Sequence, residues 1–102
     1  MRGSYIVLAE IYEKLGRYND AERAHIKLIE LAPYRAENYS LYGIFLIKIG
    51  RPKEAIEQFK NALTLSPEDA HLYNNLGIAY EEAIMFKDAL SAYEKAAKLA
   101  PY

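Results

Sequence analysis

Apolar residues along this chain recur at helical spacing. Ala55, Phe59, Ala62 and Leu63 fall on one side of a helix predicted over residues 53–65. The preceding segment, 36–49, reads as a second helix, and Gly50-Arg51-Pro52 separates the two. Glycine just past a helix end and proline near the next start are the expected punctuation. Ser66-Pro67-Glu68-Asp69 then ends the pair, because proline has no amide hydrogen and disfavours helix in the residue before it. No useful run of period-two alternation occurs, so the fold class is all-α. Ile44-Phe45-Leu46-Ile47-Lys48-Ile49 is apolar on nearly every side. A helix of that kind is expected to be covered all round.

The pattern repeats. Pro33, Pro67 and Pro101 are spaced by 34 residues, and so are Tyr5, Tyr39 and Tyr73. Ala21, Ala55 and Ala89 share a column, as do Leu31, Leu65 and Leu99. Gly16 and Gly50 match, with Ile84 in the third copy, while Gly43 and Gly77 match, with Ala9 in the first. The units run 2–35, 36–69 and 70–102, each a pair of helices, and the whole of 1–102 reads as one domain. Met1-Arg2-Gly3-Ser4 has the look of a vector-derived leader.

These columns resemble the tetratricopeptide repeat family, whose 34-residue unit runs aromatic, leucine, small, aromatic, then alanine, aromatic and proline. The third copy follows it with Tyr73, Leu76, Gly77, Tyr80, Ala89, Tyr93, Ala96 and Pro101. The middle copy has Tyr39, Gly43, Ala55, Phe59, Ala62 and Pro67, but Tyr42 and Leu46 exchange the leucine and aromatic roles. The first has Tyr5, Leu8, Ala9, Tyr12, Ala21 and Pro33, and departs at His25 and Leu28. The resemblance implies a right-handed α-solenoid of three stacked helix-turn-helix hairpins, six helices in all. No hairpin covers its own apolar face, so neighbours must stack.

It also implies a concave groove, lined by the first helix of each hairpin, that receives a peptide or a helix. Mapped onto this chain, the groove carries Ile6, Val7, Glu10 and Lys14 from the first unit. Ser40, Leu41, Ile44, Ile47 and Lys48 come from the second. His71, Asn74, Asn75, Ile78, Glu81 and Glu82 come from the third. Some members clamp the C-terminal carboxylates of heat-shock chaperones with lysine, asparagine and arginine at five positions. Here those positions hold Ile6, Glu10, Leu41, His71 and Asn75, without a fixed cation, so a chaperone tail is not expected. The expected guest is an apolar peptide or amphipathic helix on Ile6, Val7, Leu41, Ile44, Ile47 and Ile78. The alternative is that these side chains only pack against neighbouring helices.

The ends suggest a second function, as a self-assembling module or a piece of a longer or engineered array. Leu90, Tyr93 and Ala97 lie on the face where a further hairpin would dock, and the sequence shows no solvating helix after Pro101-Tyr102. Homo-oligomers are therefore an expected possibility alongside a protein or peptide partner.

Charge narrows the partners. The chain carries 13 basic and 14 acidic residues, spread evenly over the three units. Nucleic acid needs a basic patch, so it is not an expected partner. The ten tyrosines fall mostly in packing columns and not on stacking platforms. With no cysteine there is neither a disulfide nor a thiolate zinc site, which fits a cytoplasmic protein. No apolar run reaches membrane-spanning length.

Catalytic chemistry finds no foothold. His25 and His71 sit in different units, where a metal would need three or four convergent ligands. Neither a metal nor a cofactor is expected, and the chain is not expected to be an enzyme. His25 replaces an interface aromatic with Glu22 one turn before it, which predicts a structural His–Glu contact. His71 is expected at the groove edge or in solvent. Glu81-Glu82 and Glu68-Asp69 are sequence neighbours that do not face one another on a helix; the latter pair suits a helix N-terminus. Asn38-Tyr39-Ser40 matches a glycosylation sequon inside a predicted helix, which is expected to be chance.

Overall fold

The computed structural model describes residues 2–100. Six helices follow in order: α1 (Arg2–Lys14), α2 (Tyr18–Leu31), α3 (Ala36–Lys48), α4 (Pro52–Leu65), α5 (Ala70–Glu82) and α6 (Phe86–Leu99). Met1, Pro101 and Tyr102 lie outside the described residues, and with them the third proline of the 34-residue column and the first residue of the leader-like segment. Arg2, Gly3 and Ser4 form the opening turn of α1. The helix bounds differ from the sequence reading by a residue: α3 stops at Lys48, and α4 begins at Pro52, which takes the first helical position where its missing N–H costs nothing.

Each hairpin turns in the same way. Gly16 and Gly50 take the left-handed conformation with φ of 75° and 80°. The next residue then donates a backbone bond five residues back, Arg17 to Tyr12 and Arg51 to Leu46, both at 2.8 Å. Met85 bonds Tyr80 identically, so Ile84 is driven to φ 61° although it is β-branched. The turn geometry has overridden the side chain's preference.

Within each hairpin the two helices approach over small residues. A Cβ added to Gly43 would stand 2.7 Å from the Phe59 ring, and one added to Gly77 would stand 2.8 Å from Tyr93. The first hairpin makes a different choice: Ala9 keeps its methyl group, and the facing column holds the smaller imidazole of His25. Ala21, Ala55 and Ala89 are buried on the second helices.

Hairpins then stack, α2 against α3 and α4 against α5, while α3 also touches α5. The core is centred on the middle hairpin, where Phe45, Leu46, Phe59 and Ala55 are fully enclosed. The molecule is an all-α solenoid of 36 × 26 × 21 Å.

Candidate functional site

The first helices α1, α3 and α5 are the elements on which the groove was expected. Packing dictates what they leave open. Phe45 and Leu46 point into the core and fix the rotation of α3, which brings Leu41, Ile44 and Ile47 to its half-buried edge. Ile44, Ile47 and Ile49 pack against the central cluster. The stripe is therefore covered in part by its own fold, and less open than a bare groove lining would be. The exposed apolar members are Val7 and Ile78.

Between α3 and α5 lies a cleft of about 360 Å³. Leu41 and Leu72 are its apolar lining, and Ser40, His71, Asn75, Glu37 and Asp69 supply polar groups. Asp69 has a second task there: it caps α5, accepting the backbone N–H of His71 at 2.9 Å. A second cleft of about 380 Å³ lies between α5 and α6, lined by His71, Asn74, Tyr93 and Ala97 among others.

The structure thus brings Leu41, His71 and Asn75 together, and places Asn74 with His71 on the adjoining cleft. Ile6, Val7 and Glu10 on α1 line neither. Lys48 is exposed and pairs with Glu13 of α1 at 3.3 Å, tying the first two hairpins across this side. Glu81 accepts the Tyr93 hydroxyl at 2.9 Å. Tyr93 itself, placed by sequence on the open end, packs its ring over Gly77 inside its own hairpin. Leu90 does project from the end, 61% exposed.

Behind the groove, the first repeat junction is polar. Glu22 accepts the Tyr42 hydroxyl at 2.5 Å and pairs with Arg51 at 2.8 Å, and Arg51 also pairs with Glu54 at 2.5 Å. The Arg51 guanidinium holds the Glu22 and Glu54 carboxyls below the usual carboxylate range. Burial, then the bond to Glu22, raises the Tyr42 hydroxyl. The expected His25–Glu22 contact is replaced by this arrangement: Glu22 turns to Tyr42 and Arg51, and Nδ1 of His25 has no partner. The imidazole lies against Tyr42 and Phe45, with ring centroids 5.7 and 5.0 Å away. Burial depresses its pKa to about 4, outweighing Glu13 and Glu22.

Asn38 is the residue that sequence reasoning missed. It is fully buried, and its amide donates to the carbonyls of Leu28 at 3.2 Å and Ala32 at 3.1 Å, satisfying the end of α2 from the start of α3. A glycan could not attach to an amide so enclosed. The available signal was its column: Leu72, its counterpart in the third hairpin, is buried too.

Among the described residues no three His, Asp or Glu side chains converge as metal ligands would, and no helix is long and apolar enough to cross a membrane. Stacked hairpins with a clefted inner side define a helical-repeat scaffold of the kind typical of protein–protein interaction. Residues 4–38 and 70–102 match families described as tetratricopeptide repeat, and residues 45–83 match one described as TPR repeat. The chain belongs to the tetratricopeptide repeat family.

Relatives agree. The protein O-mannosyl-transferase Tmtc2 of Drosophila melanogaster is 35% identical over 70% of this chain and 8% of its own length. The probable UDP-N-acetylglucosamine–peptide N-acetylglucosaminyltransferase SPINDLY of Hordeum vulgare is 33% identical over 85% of the chain and 10% of its own length. The chain therefore spans a tenth or less of these relatives. A solved structure of MamA MSR-1 superposes with a TM-score of 0.85 at 28% identity, over 99% of this chain and 58% of that one. Another, of MamA AMB-1, gives 0.84 at 29% identity, over 99% and 55%.

Proposed function

We propose that this chain is a non-catalytic scaffold that receives a short apolar peptide or amphipathic helix along α1, α3 and α5. The α3–α5 cleft carries the reading. It offers an apolar anchor point at Leu41, backed by the buried Leu72, with Ser40, His71 and Asn75 around it to hold backbone or side-chain polar groups. Val7 and Ile78 extend the apolar surface to either side. Burying one such side chain contributes roughly 1.5–3 kcal/mol, so a guest needs several contacts to offset an association cost of about 4–15 kcal/mol.

Acidic groups set the guest's charge. Glu37 and Asp69 line the cleft, and Glu10, Glu81 and Glu82 lie exposed on the same helices. Lys48 is engaged by Glu13. A neutral or basic peptide fits; a chaperone-type carboxylate tail would meet repulsion. The transferase activities named for two relatives belong to proteins at least ten times longer than the matched segment, and nothing in the cleft calls for them here.

The test is selection of a binding peptide from a displayed random library, followed by titration against Ile78→Lys and Val7→Lys. Both residues are exposed, so helicity and melting should be unchanged while affinity drops about tenfold or more, the equivalent of roughly 1.4 kcal/mol. Unchanged affinity in both variants would overturn the groove assignment. Ile44 is a poorer probe, because it is half-buried against the core.

A further inference from the structure

The column that His25 occupies holds Phe59 and Tyr93 in the other two hairpins. The two junctions inside the molecule therefore differ in a way that matters to acid. At the second, Phe59 is fully enclosed, and Leu76 and Ala79 are buried in the columns of Tyr42 and Phe45. None of those three side chains takes up a proton. At the first, an imidazole stands in the same column, 6% exposed, against Tyr42 and Phe45 of α3.

A proton on that imidazole would be poorly served. Nδ1 of His25 has no hydrogen-bond partner among the described residues, and the rings beside it offer carbon faces instead of acceptors. Charged groups approach from each packed element, but the carboxylates are already engaged. Glu13 of α1 pairs with Lys48 of α3 at 3.3 Å, and the Lys48 ammonium opposes a further positive charge. Glu22 of α2 accepts the Tyr42 hydroxyl of α3 and pairs with Arg51 of the α3–α4 turn. Arg51 also keeps the Glu22 carboxyl below the usual range, so mild acid reaches His25 before this ion pair. A buried cation without an acceptor is relieved by neutralising it or by exposing it. Once the proton is on, exposing it means parting α2 from α3.

Such parting need not unfold the rest. Stability in a solenoid sums over hairpins and the interfaces between neighbours, so one interface can open while the next holds. Here α2 rests on α3 less extensively than α4 rests on α5. We infer that the first junction is an acid-opened hinge: protonation of His25 frees the α1–α2 hairpin from α3, while α3 to α6 stay stacked. Opening carries Val7 and Glu10 away from the α3–α5 cleft, which is lined entirely by the two hairpins that stay together. The hinge does not depend on a guest being bound there.

Amide hydrogen exchange of the intact chain, read by NMR at pH 7 and pH 5 in a series of low urea concentrations, tests this. After correction for the intrinsic pH dependence of exchange, amides of α1 and α2 should open with a weaker urea dependence than those of α5 and α6, because less surface is exposed. The imidazole goes from a pKa of about 4 in place to 6.5 once free, so the open form should be about twentyfold more populated at pH 5 than at pH 7. His25→Leu, with a melting curve confirming that it folds, should abolish that rise. One urea dependence shared by all six helices at both pH values would overturn the hinge, since the chain then opens as a unit. A twentyfold rise that survives His25→Leu would also overturn it, by assigning the proton to a carboxylate. The ring resonances of His25 give a check that needs no variant. An imidazole protonated at pH 5, with α1 and α2 as well protected as at pH 7, would equally sink the inference.

Discussion

One column of the repeat, Gly16, Gly50 and Ile84, takes the left-handed backbone, and Ile84 carries its most visible cost. A β-branched residue in the left-handed region costs about 1–2 kcal/mol, and Ile84 recovers little by packing because it is 74% exposed. Ile84→Gly restores the residue type used at Gly16 and Gly50. It should stabilise the chain by about 1 kcal/mol, raising Tm by about 4–8 °C in a domain of this size. The opposite holds at Gly43, where a methyl group would collide with the enclosed Phe59 ring. Gly43→Ala should cost about 1–3 kcal/mol by thermal or urea melting, and a smaller residue at 59 should recover part of that loss, as coupled neighbours do. His25 sets a pH dependence. Its folded pKa of about 4 lies below the unfolded 6.5, so as pH falls the unfolded chain takes up the proton first. Stability should drop by about 2 kcal/mol between pH 7 and pH 5. The depressed carboxyls of Asp20, Glu22 and Glu54 add their loss only as pH falls below the ordinary carboxylate range. Urea midpoints at the two pH values decide this, and His25→Leu should flatten the difference.

At the scale of elements, the junctions differ in kind. The first is knitted by Glu22, Tyr42, Arg51 and the buried Asn38, and the second by apolar contacts with Lys60 over Tyr80. Glu22→Ala removes the partner of the Tyr42 hydroxyl and one of the two carboxylates on Arg51, and should cost on the order of 1–2 kcal/mol. Combined with Arg51→Ala, the loss should be less than additive in a double-mutant cycle. The exchange of leucine and tyrosine between positions 42 and 46 was readable as a departure from the repeat, but its reason was not. Tyr42 needs a hydroxyl partner twenty residues away, and only stacking brings Glu22 there. Asn38 was read as a chance sequon because a polar residue early in a helix has many uses. Its role depends on the carbonyls of another helix's end.

For the whole molecule, the repeat made the fold legible. Proline, glycine, alanine and tyrosine columns mark turns and close approaches that every hairpin must make, so each copy confirms the others. The groove has no such redundancy. Its residues differ from copy to copy, and their exposure depends on the rotation of α3, which Phe45 and Leu46 set from the core side. Sequence therefore placed Ile44 and Ile47 on the groove but overstated how open they are. It placed Leu41, His71 and Asn75 on one groove together with Ile6 and Glu10, but did not separate the cleft that the first three line from the α1 residues outside it, because that cleft forms between hairpins. The central claim is that this inter-hairpin cleft is where a partner docks. Its most direct test is titration of a library-selected amphipathic peptide into the isotope-labelled chain, followed residue by residue by NMR. The account predicts shifts concentrated on Ser40, Leu41, His71, Asn75 and Ile78. Shifts confined instead to Leu8, Ile11 and Leu90 at the ends, with the α3–α5 cleft silent, would contradict it.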